Sequence, residues 1–283
     1  MTDRATRIAG AATSVPIVSF NDAATTPRFD DVAIEEPLQI RIIVEGTARD
    51  LAITMRTPGH DFELAAGFLF AEGVVRSPRD ITAISYCVDD QVAVEQRYNI
   101  VTVELRNEAR SALTRLERHF AIGSSCGVCG KARLEDLQAR GVTPLPDGAS
   151  IAVETIVKLP ELLEQRQRGF AVTGGLHASA LFDLSGNLEA IREDVGRHNA
   201  MDKLIGWGLL DARLPYSQRV ALVSGRSSFE IVQKAAVAGI PILCAVSAPS
   251  SLAVATAEAF NVTLVGFLRG RRFNVYAGAH RIT

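Results

Sequence analysis

The sequence is short of the features that usually announce a function. Its 283 residues hold four cysteines, one tryptophan and a formal net charge of −2. A chain so close to neutral has no global positive field with which to gather nucleic acid or a membrane surface. Any anionic ligand must therefore be held by a local basic cluster. No apolar run approaches the roughly 20 residues that a spanning helix needs, so no membrane span is expected. Neither a G-x-G-x-x-G turn nor a G-x-x-x-x-G-K-[ST] loop occurs, and ordinary dinucleotide folds and P-loop NTPases lose their signature with them. Internal repeats and low-complexity tracts are missing too. Cysteines as sparse as Cys87, Cys126, Cys129 and Cys244 do not suit a disulfide framework, which belongs to small secreted domains. Thr13, Ser14 and Pro16 interrupt the apolar stretch from Ile8 to Phe20, leaving a poor secretory core. These absences favour the cytoplasm.

What is present is a foldable chain, 47% apolar and 22% charged, long enough for one large domain or two modest ones. Residues 1–30 read as a loose leader. Residues 31–148 read as an α+β unit: a hairpin split at Gly46-Thr47, a helix capped by Asp61 and stopped at Gly73, strands at 81–88, 91–96 and 99–105, and a helix over 111–120. Lys131 to Arg140 has helical composition, and Gly141 to Gly148, with two prolines, reads as a linker. A helix is expected over Leu159–Arg168, with Pro160 near its start. From Thr173 strands alternate with helices of ten to twelve residues, which indicates an α/β sheet with parallel members over 149–283.

The most reactive stretch is Ser124-Ser125-Cys126-Gly127-Val128-Cys129-Gly130-Lys131. Flanking glycines leave both sulfurs approachable, and Lys131 and Arg133 favour the thiolate, the form that reacts. A lone C-x-x-C has three chemical readings: half of a zinc site, a thioredoxin-type dithiol or a sulfur relay. A closed zinc site needs four ligands, whereas Cys87 and Cys244 are singletons in apolar runs and read as buried small hydrophobes. His119, His177 and His198 show no ligand-pair spacing.

Five further clusters fall near strand ends. Thr173-Gly174-Gly175-Leu176-His177 combines an open backbone with a histidine. Glu193-Asp194-Val195-Gly196-Arg197-His198-Asn199 places Asp194 as a cap, but Arg197 and His198 in a first helical turn run against the dipole, and capping does not explain them. Ser224-Gly225-Arg226-Ser227-Ser228-Phe229-Glu230 carries a capping-box spacing, Ser227 to Glu230, and Val246 to Ser251 resembles it. Such helix starts also bind phosphate, with Arg226 as a bidentate donor. Lastly, Phe267-Leu268-Arg269-Gly270-Arg271-Arg272-Phe273 puts three arginines between two aromatic residues, Phe267 and Phe273, suited to a phosphate and a base.

In this order the C-x-x-C, T-G-G-L-H, E-D-V-G-R-H-N, S-G-R and F-L-R-G-R-R segments resemble the FdhD family of formate dehydrogenase accessory proteins, over most of the chain from about residue 35. The resemblance implies a sulfurtransferase. A cysteine desulfurase would pass sulfur to Cys126 as a persulfide, with Cys129 as its neighbour. The sulfur would go on to the metal of a molybdenum or tungsten bis(molybdopterin guanine dinucleotide) cofactor, which the protein binds before handing it to the formate dehydrogenase apoenzyme. Phe267, Leu268, Arg269, Gly270, Arg271 and Arg272 match the guanine-dinucleotide stretch, so a GDP- or GMP-like nucleotide is a partial ligand. His177, Arg197, His198, Ser224, Gly225 and Arg226 join them as candidate cofactor-binding residues. It further implies a second domain similar to cytidine deaminase, a three-layer α/β/α sheet, in a cytoplasmic homodimer. Deaminase chemistry fails at its own residues, because His177-Ala178-Ser179 lacks the glutamate of H-x-E and no proline precedes the C-x-x-C. A zinc-stabilised nucleotide-binding protein and a general dithiol oxidoreductase are the alternative functions.

Overall fold

A computed structural model describes residues 11–21, 24–87, 93–106 and 130–283. The expected helix over 111–120 and both sulfurs of the C-x-x-C motif, Cys126 and Cys129, lie outside these residues.

The described residues form three sheets. The first corrects the reading of a loose leader. β1 (Ala12–Asn21) and β2 (Ala24–Ala33) pair antiparallel along their whole length, with Ser14 Oγ donating to Asp31 Oδ1 at 2.7 Å. Alternating Thr, Val, Ile and Phe suit a pleated ribbon better than a free tail.

The second sheet, ordered β4-β3-β6-β5, joins β3 (Glu36–Val44), β4 (Thr47–Arg56), β5 (Ile81–Tyr86) and β6 (Ile100–Leu105). Every second residue of its central strands, Leu38, Ile40 and Ile42 on β3 with Val101, Val103 and Leu105 on β6, packs with Leu64, Ala65 and Leu69 of α1 (Asp61–Ala71). The cap of α1 is His60, and Asp61 makes no cap. Asp61 is instead buried beside Arg56, whose Nη2 lies 2.9 Å from its carboxylate. Where a strand over 91–96 was expected, the described part holds a single turn, α2 (Val94–Arg97). Glu, Gln and Arg there favour helix.

The third sheet holds the C-terminal half. After α3 (Gly130–Ala139) the chain is pinned rather than free, since Leu145 N donates to Phe260 O at 2.9 Å. Three short helices follow: α4 (Val153–Ile156), α5 (Leu159–Glu164) and α6 (Arg168–Thr173). The helix expected over Leu159–Arg168 breaks at Gln167, because the Glu193 carboxylate accepts from the free amides of Gly169 and Phe170 at 2.9 and 2.8 Å and starts a new one. Then come β7 (His177–Asp183), β8 (Leu188–Asp194), α7 (Arg197–Leu210), β9 (Arg219–Val223), α8 (Phe229–Val237), β10 (Ile242–Ala245), α9 (Ser251–Ala259), β11 (Thr263–Arg269) and β12 (Arg272–Ala277). Their order is β12-β11-β10-β9-β7-β8, with β9, β10 and β11 parallel and the other pairings antiparallel.

Side-chain alternation makes this a three-layer unit. Leu181, Ala221, Leu243 and Leu264 face a core shared with Met201 and Leu204 of α7, Val232 of α8 and Ala257 of α9. Their neighbours Ala180, Phe182, Leu222 and Cys244 face the other way, against Ile156, Leu159 and Leu163. Continuous burial on both faces is what parallel strands require. Cys244 and Cys87 are buried free thiols, as the sequence suggested, and burial lifts the Cys244 thiol to about 12.

The two larger units meet where α1 crosses α7. Gly67 and Gly206 make that crossing possible, because a Cβ on either would overlap the opposite backbone, at Asp202 O and Glu63 O. Around the crossing lie buried ion pairs. Lys203 Nζ is 2.7 Å from Asp194 and Lys234 Nζ is 2.6 Å from Asp202, while Arg192 and Glu63 pair at the rim.

Candidate functional site

Topology settles where the separate motifs go. β9, β10 and β11 run parallel, and β7 is antiparallel to β9, so the start of β7 and the ends of β8 to β11 share one end of the sheet. All of the C-terminal motifs belong to that end. His177 opens β7, Asp194 closes β8, Ser224 to Arg226 follow β9, Val246 to Ser250 follow β10, and Arg269 closes β11. Open α/β sheets collect ligands there.

The contacts are direct. Ser224 Oγ accepts from Ala178 N at 2.9 Å and Ser224 N donates to Ala178 O at 3.0 Å, which ties the turn after β9 to β7. A Cβ added to Gly225 would lie 3.4 Å from His177 Nδ1 and 3.7 Å from Arg197 Cδ, so these three residues form one wall. His198 Nε2 lies 3.2 Å from Ser228 Oγ and 3.9 Å from Glu230. Ser227 N donates to Ala248 O and Ser250 N to Ser227 O, joining the turns after β9 and β10. Phe267 N donates to Ser247 O at 3.2 Å and Arg269 Nε to Val246 O at 3.0 Å, which brings in the arginine hairpin.

Two caps differ from expectation. The N-cap of α8 is Ser228, and no capping box forms from Ser227. Asp194 does not cap α7 either: its buried carboxylate accepts from Gly196 N at 2.8 Å and from Asn199 Nδ2 at 3.0 Å while pairing with Lys203. Among the described residues the first turns of α7 and α8 therefore have no side-chain cap, whereas Ser250 caps α9 by accepting from Ala253 N at 3.2 Å. Arg197 Nε and Ser227 Oγ are buried with no hydrogen-bond partner among the described residues, and so is Ser179 Oγ on β7. Buried polar atoms are rarely left alone. Two uncapped helix starts beside unused donors make a place for an anion.

The basic loop is a β-turn between β11 and β12. Arg226, Arg269, Arg271 and Arg272 are exposed. Phe267 is 41% exposed and holds φ 53, beside an irregularity in the pairing of β11 with β12. A bulky residue in the left-handed region is costly, and such bulges redirect side chains beside sites. Phe273 is not a second open wall, since it packs against the inner core. Burial, helped by the Arg197 charge, holds both His177 and His198 below the usual imidazole range. Near neutral pH both are uncharged, and each can donate one hydrogen bond and accept another.

Sequence reasoning missed three supports. Asn199 ties this end to the N-terminal unit, with Nδ2 donating to Met55 O at 2.7 Å and Oδ1 accepting from Thr54 Oγ1 at 3.1 Å. Lys203 neutralises Asp194 and donates to Thr57 O at 2.8 Å. Glu193 anchors α6. A lysine within the apolar face of a helix was the one available hint. A cavity of about 600 Å³ lies elsewhere, beside Phe70, Val142, Leu145, Pro215, Val237 and Gly239. Pro215 and Gly239 precede β9 and β10, so the cavity is at the opposite end of the sheet from the motifs at His177, Asp194, Ser224, Val246 and Arg269.

Among the described residues no helix is long and apolar enough to cross a membrane. Residues 33–283 match the model of the FdhD/NarQ family. The chain is 50% identical over 268 residues to the sulfur carrier protein FdhD of Streptomyces coelicolor, covering 94% of each chain. It is 45% identical to the sulfur carrier protein FdhD of Sulfolobus acidocaldarius, covering 95% of this chain and 97% of the other. A crystal structure assigned as a formate dehydrogenase accessory protein from Desulfotalea psychrophila superposes with a TM-score of 0.73 at 26% identity, covering 97% of this chain and all of that one.

Proposed function

The chain belongs to the FdhD/NarQ family, and from that premise we propose that it is a sulfur carrier of formate dehydrogenase maturation that works as a cytoplasmic sulfurtransferase. Cys126 accepts sulfur from a cysteine desulfurase as a persulfide, with Cys129 beside it in sequence. The S–S bond then breaks as the outer sulfur passes to the metal of a molybdenum or tungsten bis(molybdopterin guanine dinucleotide), the protein's substrate. Cys126 leaves as its thiolate, the reduced metal of that substrate gives the two electrons, and the substrate is passed to the dehydrogenase apoenzyme. Two copies of the chain work together.

The observation that carries this reading is the convergence of five separate sequence motifs on one end of the sheet. A carrier that binds a dinucleotide-bearing substrate needs donors for phosphate and a face for a base. The arrangement supplies both kinds of group. Arg197 Nε, Ser227 Oγ and the uncapped first turn of α7 offer donors that no described residue uses. Arg226, Arg271 and Arg272 offer exposed guanidinium groups, which suit phosphate oxygens. Phe267 offers an exposed ring. Neutral His177 and His198 can hold or accept a proton without adding charge. When bound, the pterin cofactor supplies the metal that receives the sulfur.

The test is chemical. After incubation with a desulfurase and cysteine, the intact protein should gain the mass of one sulfur, and Cys126→Ala should not. An undiminished added sulfur in that variant would remove Cys126 from the role.

A further inference from the structure

We propose that the β1–β2 ribbon is an arm that clasps a second copy of this chain, laying its apolar face over Ile53 and Met55 of β4 in that copy. The proposal deepens the reading of two cooperating copies and rests on it, but not on the sulfur chemistry.

The ribbon is a sheet of its own. Among the described residues β1 and β2 pair only with each other, and neither joins the four- or six-stranded sheet. Its root is fastened: Ile34 N donates to Ala11 O at 2.9 Å, Ala33 packs 3.4 Å from where a Cβ on Gly175 would lie, and α6 lies against both strands. Ten residues at about 3.3 Å each give a projection of about 33 Å. An isolated two-stranded hairpin is marginal in water at best.

The register shows which face needs cover. Paired residues share a face, and Pro16 pairs with Phe29, Val18 with Pro27, and Phe20 with Thr25. One face is therefore Pro16, Val18, Phe20, Pro27 and Phe29. The other pairs Val15 with Asp30, Ile17 with Arg28 and Ser19 with Thr26. Its β1 residues Val15, Ile17 and Ser19 are already half-buried, whereas Pro16, Val18 and Phe20 are exposed. On the apolar face Phe20 is 76% exposed, Phe29 72% and Val18 54%. An exposed apolar patch of this kind marks an interaction surface.

Three arguments select a second copy as the occupant. The first is permanence, because every chain carries the arm, and a partner met only during transfer would leave the phenylalanines in water between encounters. The second is area. A ribbon about 10 Å wide and 33 Å long presents a face of about 330 Å², about half of it apolar because Ser14, Asp31 and Thr25 share it, and two exchanged arms with the surfaces beneath them bury about 1,300 Å² in all. That exceeds the roughly 1,000 Å² expected of a specific interface. The third is a matching surface on the chain itself. β4 is the edge strand of its sheet, and its outward residues Ile53 and Met55 are 72% and 46% exposed. Exposed edges of this kind are usually covered.

The consequence reaches the functional site. Met55 O and Thr54 Oγ1 hold Asn199 in the first turn of α7. An arm lying over Met55 would wall the motif-bearing end of the partner's sheet.

Sedimentation equilibrium of the full chain at micromolar concentration should show a dimer, and Phe20→Ser/Phe29→Ser should raise its dissociation constant at least about 100-fold. Both side chains are exposed, so circular dichroism of the variant should match the parent. Val18→Cys/Ile53→Cys should yield a covalent dimer on oxidation, reversed by a thiol. A monomeric parent chain would overturn the two-copy reading itself. A dimeric parent whose serine variant stays equally dimeric, or whose cysteine pair never cross-links, would overturn the role of the arm and leave the dimer standing.

Discussion

The α1–α7 crossing and the motif-bearing end of the large sheet are both rich in polar side chains, yet they treat them in opposite ways. At the crossing each buried charge has a close partner: Arg56 with Asp61, Lys203 with Asp194, Lys234 with Asp202. Burial raises the Asp202 carboxyl to about 6, although the Lys234 ammonium opposes the rise. At the sheet end, Arg197 Nε, Ser227 Oγ and Ser179 Oγ are buried without partners among the described residues, which also give two helix starts no side-chain cap. A further unpartnered atom, Arg281 Nε, belongs to a guanidinium otherwise bonded to Pro146 O and Asn261 Oδ1. Saturated polar groups fix a structure. Unsaturated ones, gathered at one place, are poised for a ligand.

Removing one member of a saturated pair tests the first half of that contrast most severely. Lys203→Met leaves the Asp194 carboxylate buried without its cation, which should cost about 3–5 kcal/mol of stability. Urea unfolding would show it as a lower midpoint. Guanine-nucleotide affinity per folded molecule should stay near the parent value. An equal loss of affinity and stability would mean that the two regions are one cooperative site.

The next effect falls on the other region. Arg271→Ala/Arg272→Ala removes two exposed guanidiniums and keeps Arg269, whose Nε ties the hairpin to Val246 O. Exposure to water leaves each lost bond worth about 0.7–1.5 kcal/mol, so removing two should weaken guanine-nucleotide binding by one to two orders of magnitude. The unfolding midpoint should hardly move. Unchanged binding by calorimetry would make the arginine turn a solvated surface.

How much of this contrast the sequence displayed depends on how local each signal is. The strand–helix alternation after Thr173 was legible because each element carries its own period and its own stop residues. The gathering of motifs was legible as an expectation once strands were taken as parallel, since ligands collect beyond their carboxyl ends. The crossing was hidden. Gly67 and Gly206 are only two mid-helix glycines until the helices are brought together, 139 positions apart in numbering (206 − 67). Asp61 reads as a cap from its neighbours and becomes an Arg56 partner only when the sheet folds beneath α1. The ribbon was masked by Pro16 and Pro27, which argue against strand in a central position but are tolerated in a two-stranded ribbon with free edges. Ser227 shows the same limit in reverse: a capping spacing in sequence, an unused hydroxyl in the fold.

That hydroxyl gives a finer test. Ser227→Ala removes a buried polar atom that has no partner, so stability should be unchanged or slightly higher. If the hydroxyl meets the ligand, nucleotide affinity should fall about fivefold, the worth of one ordinary hydrogen bond of about 1 kcal/mol. Stability and affinity would then move independently at a single atom, which no residue of the crossing can do.

The smallest expected effect concerns protons. Burial and the Arg197 charge depress the His177 imidazole below its ordinary 6.5. In the unliganded protein the unfolded chain therefore binds the proton more readily. Its share of stability is complete above about pH 6.5 and is lost as pH falls through the folded value. A bound anion reverses the balance by stabilising the imidazolium, so binding takes up a proton. Nucleotide affinity should consequently rise as pH drops from 7.5 to 6, by about threefold, within the tenfold per pH unit that one proton allows. Calorimetry in buffers of different ionisation enthalpy would report the proton uptake directly, and His177→Gln should abolish most of it. His198 shares the Arg197 field and lies beside Glu230, so a remnant of the slope in the His177 variant would assign the rest of the proton to His198. No slope in the parent protein would place the anion away from both imidazoles, and the Arg197–Gly225–His177 wall would belong with the saturated, structural half of the molecule.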